Sequence, residues 1–394
     1  MKIHLKYHCV LFVSYLLGFT AALQAQVATI PFESDGLMYI KVKVNDHAEP
    51  LNFVFDTGAS TAVLDEKVAK EIGITADYQQ PAAGAAGTEM YNIALSQKLH
   101  IQDITLADAH VVLVDLDRLS KRGNQRIDGI IGYNIMQHYV THIDYDQQEI
   151  KLYKNVDDIA AVDAYKMLPV SLGYASIPQV ELEFTLKNNK KFKGSFLFDS
   201  GANMTFLLNT PFVKANNIET LIGKTIENKA ESLTTSSSFK IGNVTNVQLG
   251  DFKFGEMPID LSNSTSGVMA SEAYAGILGV KIIQRFHIIL DYKNQKIYLK
   301  PNKSYANEFE FPRSGISIEK EADKIKISNV VKVSEAYQKG IREGDQLLEI
   351  DEVVVNDTRK CRELLKQKDT SVKLKLKDEK GEVKTVIIFL KRLI

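Results

Sequence analysis

From residue 26 to about residue 300, the spacing of apolar and polar positions follows a period of two. Met38 to Val44 alternates in this way, and the alternation returns over residues 93–106, 180–186 and 286–290. Each stretch predicts a strand with one face buried and one facing water. Two polar phrases, Asp144-Tyr145-Asp146-Gln147-Gln148 and Asp291-Tyr292-Lys293-Asn294-Gln295, sit between apolar runs and predict tight hairpins. Helical spacing is scarce. The clearest case is 65–72, where Val68, Ala69 and Ile72 share one face and Gly73 supplies the stop. Beyond about Phe311 the pattern reads as strand, short helix, strands, a longer helix over 358–368 and two strands ending at Leu390. The prediction is a mainly β chain that closes with a smaller α+β unit.

Within the β region one phrase occurs twice. The apolar run Phe53-Val54-Phe55 leads into Asp56-Thr57-Gly58, and Phe196-Leu197-Phe198 leads into Asp199-Ser200-Gly201. Downstream of the first come Gly129-Ile130-Ile131-Gly132 and the stretch from Ile143 to Tyr153. Downstream of the second come Gly276-Ile277-Leu278-Gly279 and the stretch from Leu290 to Leu299. The order is the same, and Gly132 precedes Asp144 by the same interval as Gly279 precedes Asp291, so a whole lobe is duplicated. A strand that ends by delivering an Asp into a Gly-containing turn fixes the side chain and leaves it reachable. Two copies can bring two carboxyls face to face, the minimum equipment for acid/base activation of a water molecule. A plain β-sandwich is the alternative all-β reading, and the paired turns argue against it.

On these residues, over roughly 30 to 300, the chain resembles the retropepsin-like aspartic proteases in their bacterial form with two fused lobes. The resemblance implies a bilobal fold with Asp56 and Asp199 as the catalytic pair, and Ile130-Ile131-Gly132 and Ile277-Leu278-Gly279 threading beneath the two turns. It implies that Thr57 and Ser200 orient the pair through backbone and hydroxyl hydrogen bonds, while Gly58 and Gly201 let the turns approach. It also places a flap over the cleft at Gly84, Ala85, Ala86 and Gly87, with Thr234 to Phe239 as the counterpart in the second lobe. Tyr91 is given no catalytic role. Ala59 and Ala202 stand where many pepsin-like enzymes carry a Ser or Thr hydroxyl beside the carboxylate. Without that donor the carboxylates are expected to titrate higher, with activity at mildly acidic to near-neutral pH.

The stretch from Ala336 to Asp351 resembles the bacterial PDZ pattern, a short helix and a Gly-Asp turn leading into a strand. Gly315, Ile316, Ser317 and Ile318 would then form its carboxylate-binding loop, with a C-terminal peptide adding to the sheet edge. Ser317 departs from the second glycine usual in that loop. The expected layout is a signal peptide at 1–25, lobe one at 26–160, lobe two at 161–304 and a PDZ-like domain at 305–394.

Composition narrows the remaining classes. Lys2 and Lys6 precede an apolar run from Cys9 to Leu23, and Leu23-Gln24-Ala25 ends in a small residue suited to cleavage before Gln26. The expectation is export to a periplasmic or extracellular location. Cys9 lacks the small-residue context of a lipid attachment site, and after cleavage only Cys361 remains, so no intramolecular disulfide can form. Cleavage takes 48 basic residues to 46, against 49 acidic ones. Nothing there favours nucleic acid. His138 and His142 have helical spacing but lack the intervening Glu of a zinc-protease motif, and Gly194-Ser195 lacks the second Gly of a hydrolase nucleophile turn. No metal and no cofactor are expected.

The resemblance, with the export signal, implies an exported aspartic endopeptidase acting on peptide or unfolded protein. Both carboxylates lie in one chain, so a monomer is expected to suffice. Two other classes stay open at this point: a peptide-binding module on a protease scaffold that does not cleave, and a peptidase held inactive until its PDZ-like domain binds a ligand.

Overall fold

The computed structural model describes residues 26–83, 88–122, 125–231 and 236–394. The expected signal segment and the four flap-tip positions Gly84, Ala85, Ala86 and Gly87 lie outside these residues, as does the start of the 234–239 counterpart. The architecture is mainly β, in agreement with the alternating pattern.

Each half of the β region builds its own sheet around the strand that precedes an Asp turn. In the first half, Leu51–Phe55 lies in an eight-stranded sheet between Met38–Val44 and Gly129–Ile131. In the second, Lys191–Phe198 lies in a nine-stranded sheet between Gln179–Thr185 and Gly276–Leu278. The pairing of the Asp strand with its downstream partner is parallel both times: Val54 faces Ile130, and Leu197 faces Ile277. Such strands are buried on both sides, which is why Leu51–Phe55 reads as an unbroken apolar run.

A third sheet of six strands joins the halves. Its order runs Gln26–Pro31, Glu149–Tyr153, Val140–Asp144, then Phe286–Asp291, Lys296–Pro301 and Lys166–Pro169. The two predicted hairpins meet at its centre, where Thr141 pairs with Leu290 and Ile143 with Ile288. Their inward side chains, among them Ile143, Ile150, Ile288 and Leu290, are fully buried in one apolar core spanning both lobes. The joint is therefore a continuous sheet over a shared core.

Three sequence expectations shift in detail. The predicted strand over 93–106 is a hairpin of Thr88–Ile101 and Ile104–Val114, because Gln102 turns at φ 48°. The helix over 65–72 spans Glu66–Glu71, with the Asp65 carboxylate capping it by accepting from the Lys67 and Val68 N–H groups. The helix expected over 358–368 ends at Leu365, and Asp369 at φ 50° starts the return into Ser371–Lys377.

The C-terminal unit folds round a second core. Ile325, Leu347, Cys361, Val372, Leu374 and Ile388 are buried there. Its sheet starts at the edge strand Ile316–Glu321, which pairs with Lys324–Val330 alone. Cys361 lies on the helix Thr358–Leu365 inside this core, and burial pushes its thiol up to about 11, which suits packing and not nucleophilic chemistry.

Candidate active site

The two Asp turns meet face to face at the joint between the lobes. Each is held from below by its own downstream strand: the Asp56 N–H donates to the Ile131 carbonyl at 2.9 Å, and the Asp199 N–H to the Leu278 carbonyl at 3.0 Å. One turn later the chain is tied again, with Tyr133 N–H donating to Ala59 O at 3.0 Å and Val280 N–H to Ala202 O at 2.9 Å. Gly132 and Gly279 permit this threading. A Cβ on Gly132 would overlap the Asp56 carbonyl oxygen.

Thr57 and Ser200 lock the turns to one another. Thr57 Oγ1 donates to the Phe198 carbonyl at 2.6 Å and accepts from the Ser200 N–H at 2.9 Å. Ser200 Oγ accepts from the Thr57 N–H at 3.0 Å. Both side chains are buried. The sequence indicated hydroxyl and backbone hydrogen bonds around the pair. It did not indicate that they cross from one lobe to the other, since that follows only from the docking of the two turns.

This lock sets the geometry of the carboxylates. Asp56 Oδ1 accepts from Gly58 N–H at 2.7 Å and from Gly201 N–H, in the opposite turn, at 3.1 Å. Asp199 Oδ1 accepts from the same Gly201 N–H at 2.8 Å. One N–H shared by two carboxylates brings them within contact of each other. A Cβ on Gly58 would lie 2.6 Å from Asp199 Cγ, so neither turn has room for a larger residue at that point.

The electrostatics are those of a pair that holds one proton. Burial raises both carboxyls above their ordinary value. Asp199 stands well above it, because the Asp56 charge and their mutual hydrogen bond add to burial. For Asp56 the Gly58 N–H, the bond from Asp199 and the Gly201 N–H pull the other way. The two carboxyls therefore titrate as one unit that shares a proton. Tyr292, from the central sheet, is buried near Asp56, and burial with that negative charge pushes its phenol up.

On the first lobe, the sheet face beside Asp56 carries an apolar cluster: Tyr39, Val54, Val63, Val114 and Ile130 pack together, with Ala59 and Tyr91 against them. The strands Tyr78–Ala83 and Thr88–Ile101 pair from Tyr78 with Ile93 to Ala83 with Thr88. Ile226–Glu231 and Ser236–Val244 form the matching hairpin in the second lobe.

The expected PDZ loop lies against the protease lobes. Gly315 adopts φ 70°, and Ser317 faces the second hairpin, where its Oγ lies 3.5 Å from Asn228 Oδ1. Asn329 Nδ2 donates to that same oxygen at 2.9 Å. Arg392 grips Glu256 with two nitrogens at 2.7 Å each and stacks over Phe311. Ile226, Ile241, Val331, Leu393 and Ile394 close an apolar seam between the two units. Helix Asp117–Arg122 of lobe one lies beside the edge strand Ile316–Glu321.

The other candidate groups are not brought together. His138 follows the turn Tyr133–Met136, whereas His142 lies in a strand of the central sheet with Nε2 2.9 Å from the Tyr165 hydroxyl. Among the described residues, Asp65, Asp115 and Asp117 are the one acidic group close enough to share a cation. Asp65 there accepts from the Lys67, Val68 and Leu116 N–H groups, and the Lys67 ammonium pairs with Asp115 and Asp117. These bonds make Asp65 a helix cap.

Two turns, each threaded by a parallel strand, thus bring two carboxyls together under one shared N–H. In agreement, residues 40–135 match the family model described as aspartyl protease, a span that includes Asp56 and Gly132, and residues 311–377 match that of the PDZ domain. The chain thus carries a retropepsin-like aspartyl protease segment and, behind it, a PDZ domain. No curated protein matches the chain. The second lobe lies outside the matched span and is tied to the first by its repeated topology and register.

Proposed function

We propose that the protein is an exported aspartic endopeptidase in which Asp56 and Asp199 activate water against a peptide carbonyl. The observation that carries this reading is the Gly201 N–H shared by the two carboxylates. The ionised carboxyl of the pair takes a proton from a water lying between the two, while the protonated one donates its own to the carbonyl oxygen. The water oxygen bonds to the carbonyl carbon and gives a tetrahedral gem-diol. The carboxyls then exchange roles: one recovers a proton from the gem-diol and the other protonates the leaving nitrogen as the C–N bond breaks. No covalent intermediate forms. The cross-lobe lock of Thr57 and Ser200 supports this chemistry by fixing the pair before substrate arrives.

The working pH follows from the two shifts. Activity requires one proton on the pair, so it falls when the pair takes up a second proton at low pH and when it loses its only one at high pH. Both carboxyls are raised, which moves that window upward and supports activity at mildly acidic to near-neutral pH.

The PDZ domain serves as a peptide-binding unit coupled to the cleft. Its edge strand Ile316–Glu321 is the strand to which a peptide would add, and helix Asp117–Arg122 lies beside it. That helix contributes Leu119 to the apolar wall that also contains Ala59, next to the Asp56 turn. A C-terminal peptide seated at the edge would press on the helix and through it on the wall of the site. The expected outcome is a change in kcat/KM on adding such a peptide.

The testing experiment incubates the mature chain with a mixture of unfolded proteins in water enriched in oxygen-18, with and without a gem-diol-mimicking inhibitor. New C-termini bearing one heavy oxygen, absent with the inhibitor and in Asp56→Asn, are expected. Peptide binding with no cleavage by the unmodified chain would instead support the non-cleaving module.

A further inference from the structure

The duplication allows the two walls of the cleft to be compared position by position. In lobe one, Tyr39 pairs with Val54, Val54 with Ile130, Ile130 with Val63 and Val63 with Val112. In lobe two the same ladder runs Gln179 with Leu197, Leu197 with Ile277, Ile277 with Leu207 and Leu207 with Asp260. Two residues further along, Val114 corresponds to Ser262. Strand alternation puts Leu197 and Asp199 on one face, and the register puts Leu207, Ile277 and Asp260 on that face with them, while Ile259 and Leu261 enter the core behind. At these positions the wall of lobe one is apolar apart from the Tyr39 hydroxyl. In lobe two, Gln179, Asp260 and Ser262 break it.

Two of these three are satisfied within the fold. Gln179 accepts from Ser195 Oγ at 3.0 Å, and Ser262 Oγ accepts from Thr210 Oγ1 at 3.1 Å. Asp260 is different: among the described residues no hydrogen bond and no ion pair reaches its carboxylate, and burial pushes it up to about 7. Among the described residues the one cation acting on it is Lys281, half-buried in the short helix Val280–Ile283 after Gly279 and held below the usual lysine range. Glu310, the other anion near Lys281, is already paired with Lys366 at 2.6 Å. A half-buried carboxylate without donors is only partly solvated, and that costs stability. An incoming guanidinium or ammonium group would supply those donors in a desolvated place, where such bonds are strong.

We infer that Asp260 is a specificity-determining residue of the lobe-two subsite, receiving a lysine or arginine side chain of the substrate, while the lobe-one wall takes an apolar one. The inference deepens the reading of the site as an endopeptidase and rests on it. A site built to pair a charged group discriminates strongly against side chains that lack it, here by about 10- to 100-fold in kcat/KM. Asp260→Val, which copies Val112 of lobe one, is expected to erase that preference and make the two sides of the cut alike. Asp260→Asn, close in shape to the parent, keeps the comparison valid should the valine variant fold poorly.

The experiment profiles cleavage of a peptide library by the parent chain, Asp260→Asn and Asp260→Val. The expected result is a Lys/Arg preference on one side of the cut that falls at least about tenfold in both variants, with the apolar preference on the other side unchanged. A parent profile without basic preference, or one that survives both substitutions, overturns the inference and leaves the endopeptidase reading intact. A parallel arm measures binding of a lysine-containing hexapeptide and its norleucine analogue to Asp56→Asn and to Asp56→Asn combined with Asp260→Asn. Should the parent chain not cleave, lysine-selective binding that disappears with Asp260→Asn upholds the subsite while the endopeptidase reading falls. Equal binding of the two peptides overturns the subsite as well.

Discussion

Replacing Thr57 with valine keeps the volume and shape of a buried side chain and removes only its hydroxyl. Two contacts are lost: the bond donated to the Phe198 carbonyl at 2.6 Å and the bond accepted from the Ser200 N–H at 2.9 Å. Neither backbone group can turn to water, since Phe198 and Ser200 are both 0% exposed. Each buried unsatisfied group costs about 1–3 kcal/mol, so Thr57→Val should lose about 2–6 kcal/mol. Ser200→Ala orphans mainly the Thr57 N–H and should lose about 1–3 kcal/mol. The assay is urea unfolding followed by tyrosine fluorescence, with each substitution made in an Asp56→Asn background to prevent self-cleavage. Amide exchange at Ser200 reports on the lock locally. A Thr57→Val loss below about 0.5 kcal/mol, with Ser200 still protected, would refute the claim that the lock holds the lobes together.

Other consequences follow from single contacts. Gly58→Ala sets a methyl 2.6 Å from Asp199 Cγ, so kcat should fall by about 10²-fold or more while the fold survives; unchanged kcat would contradict the close approach. His142 is held down to about 4 by burial, from 6.5 when exposed. The unfolded chain therefore binds this proton first as the pH falls, and stability should decrease from about 6.5 to about 4, less steeply in His142→Gln. Equal slopes for the two chains would count against this. Arg392→Ala removes both bonds to Glu256, whose carboxyl Arg392 holds down at about 2, and should speed amide exchange across the hairpin of Ile226–Glu231 and Ser236–Val244. Unaltered exchange would show that the apolar seam alone docks the PDZ domain.

Much of this was legible because it is local. The runs Phe53-Val54-Phe55 and Phe196-Leu197-Phe198 announce buried strands, the tripeptides announce their turns, and repetition announces the second lobe. Features that depend on docking were not. Thr57 and Ser200 find partners 141 and 143 residues away, and no periodicity reports that pairing. Asp260 looks like any polar strand position until register sets it beside Leu207 and opposite the role of Val112. The break at Gln102 and the early end of the helix at Leu365 were missed for another reason. The first depends on a non-glycine residue adopting positive φ, which its side chain alone does not signal, while the helix closes on Lys366 at φ −97°.

The central claim is that Asp56 and Asp199 work as one unit, and a double-mutant cycle on peptide hydrolysis tests it directly. Groups that share a proton are lost together, so Asp56→Asn and Asp199→Asn should each lower kcat/KM by ~10³-fold or more, and the double variant should be no worse than either single one. Losses that multiply, or a single variant that keeps near-parental activity, would contradict a shared-proton pair.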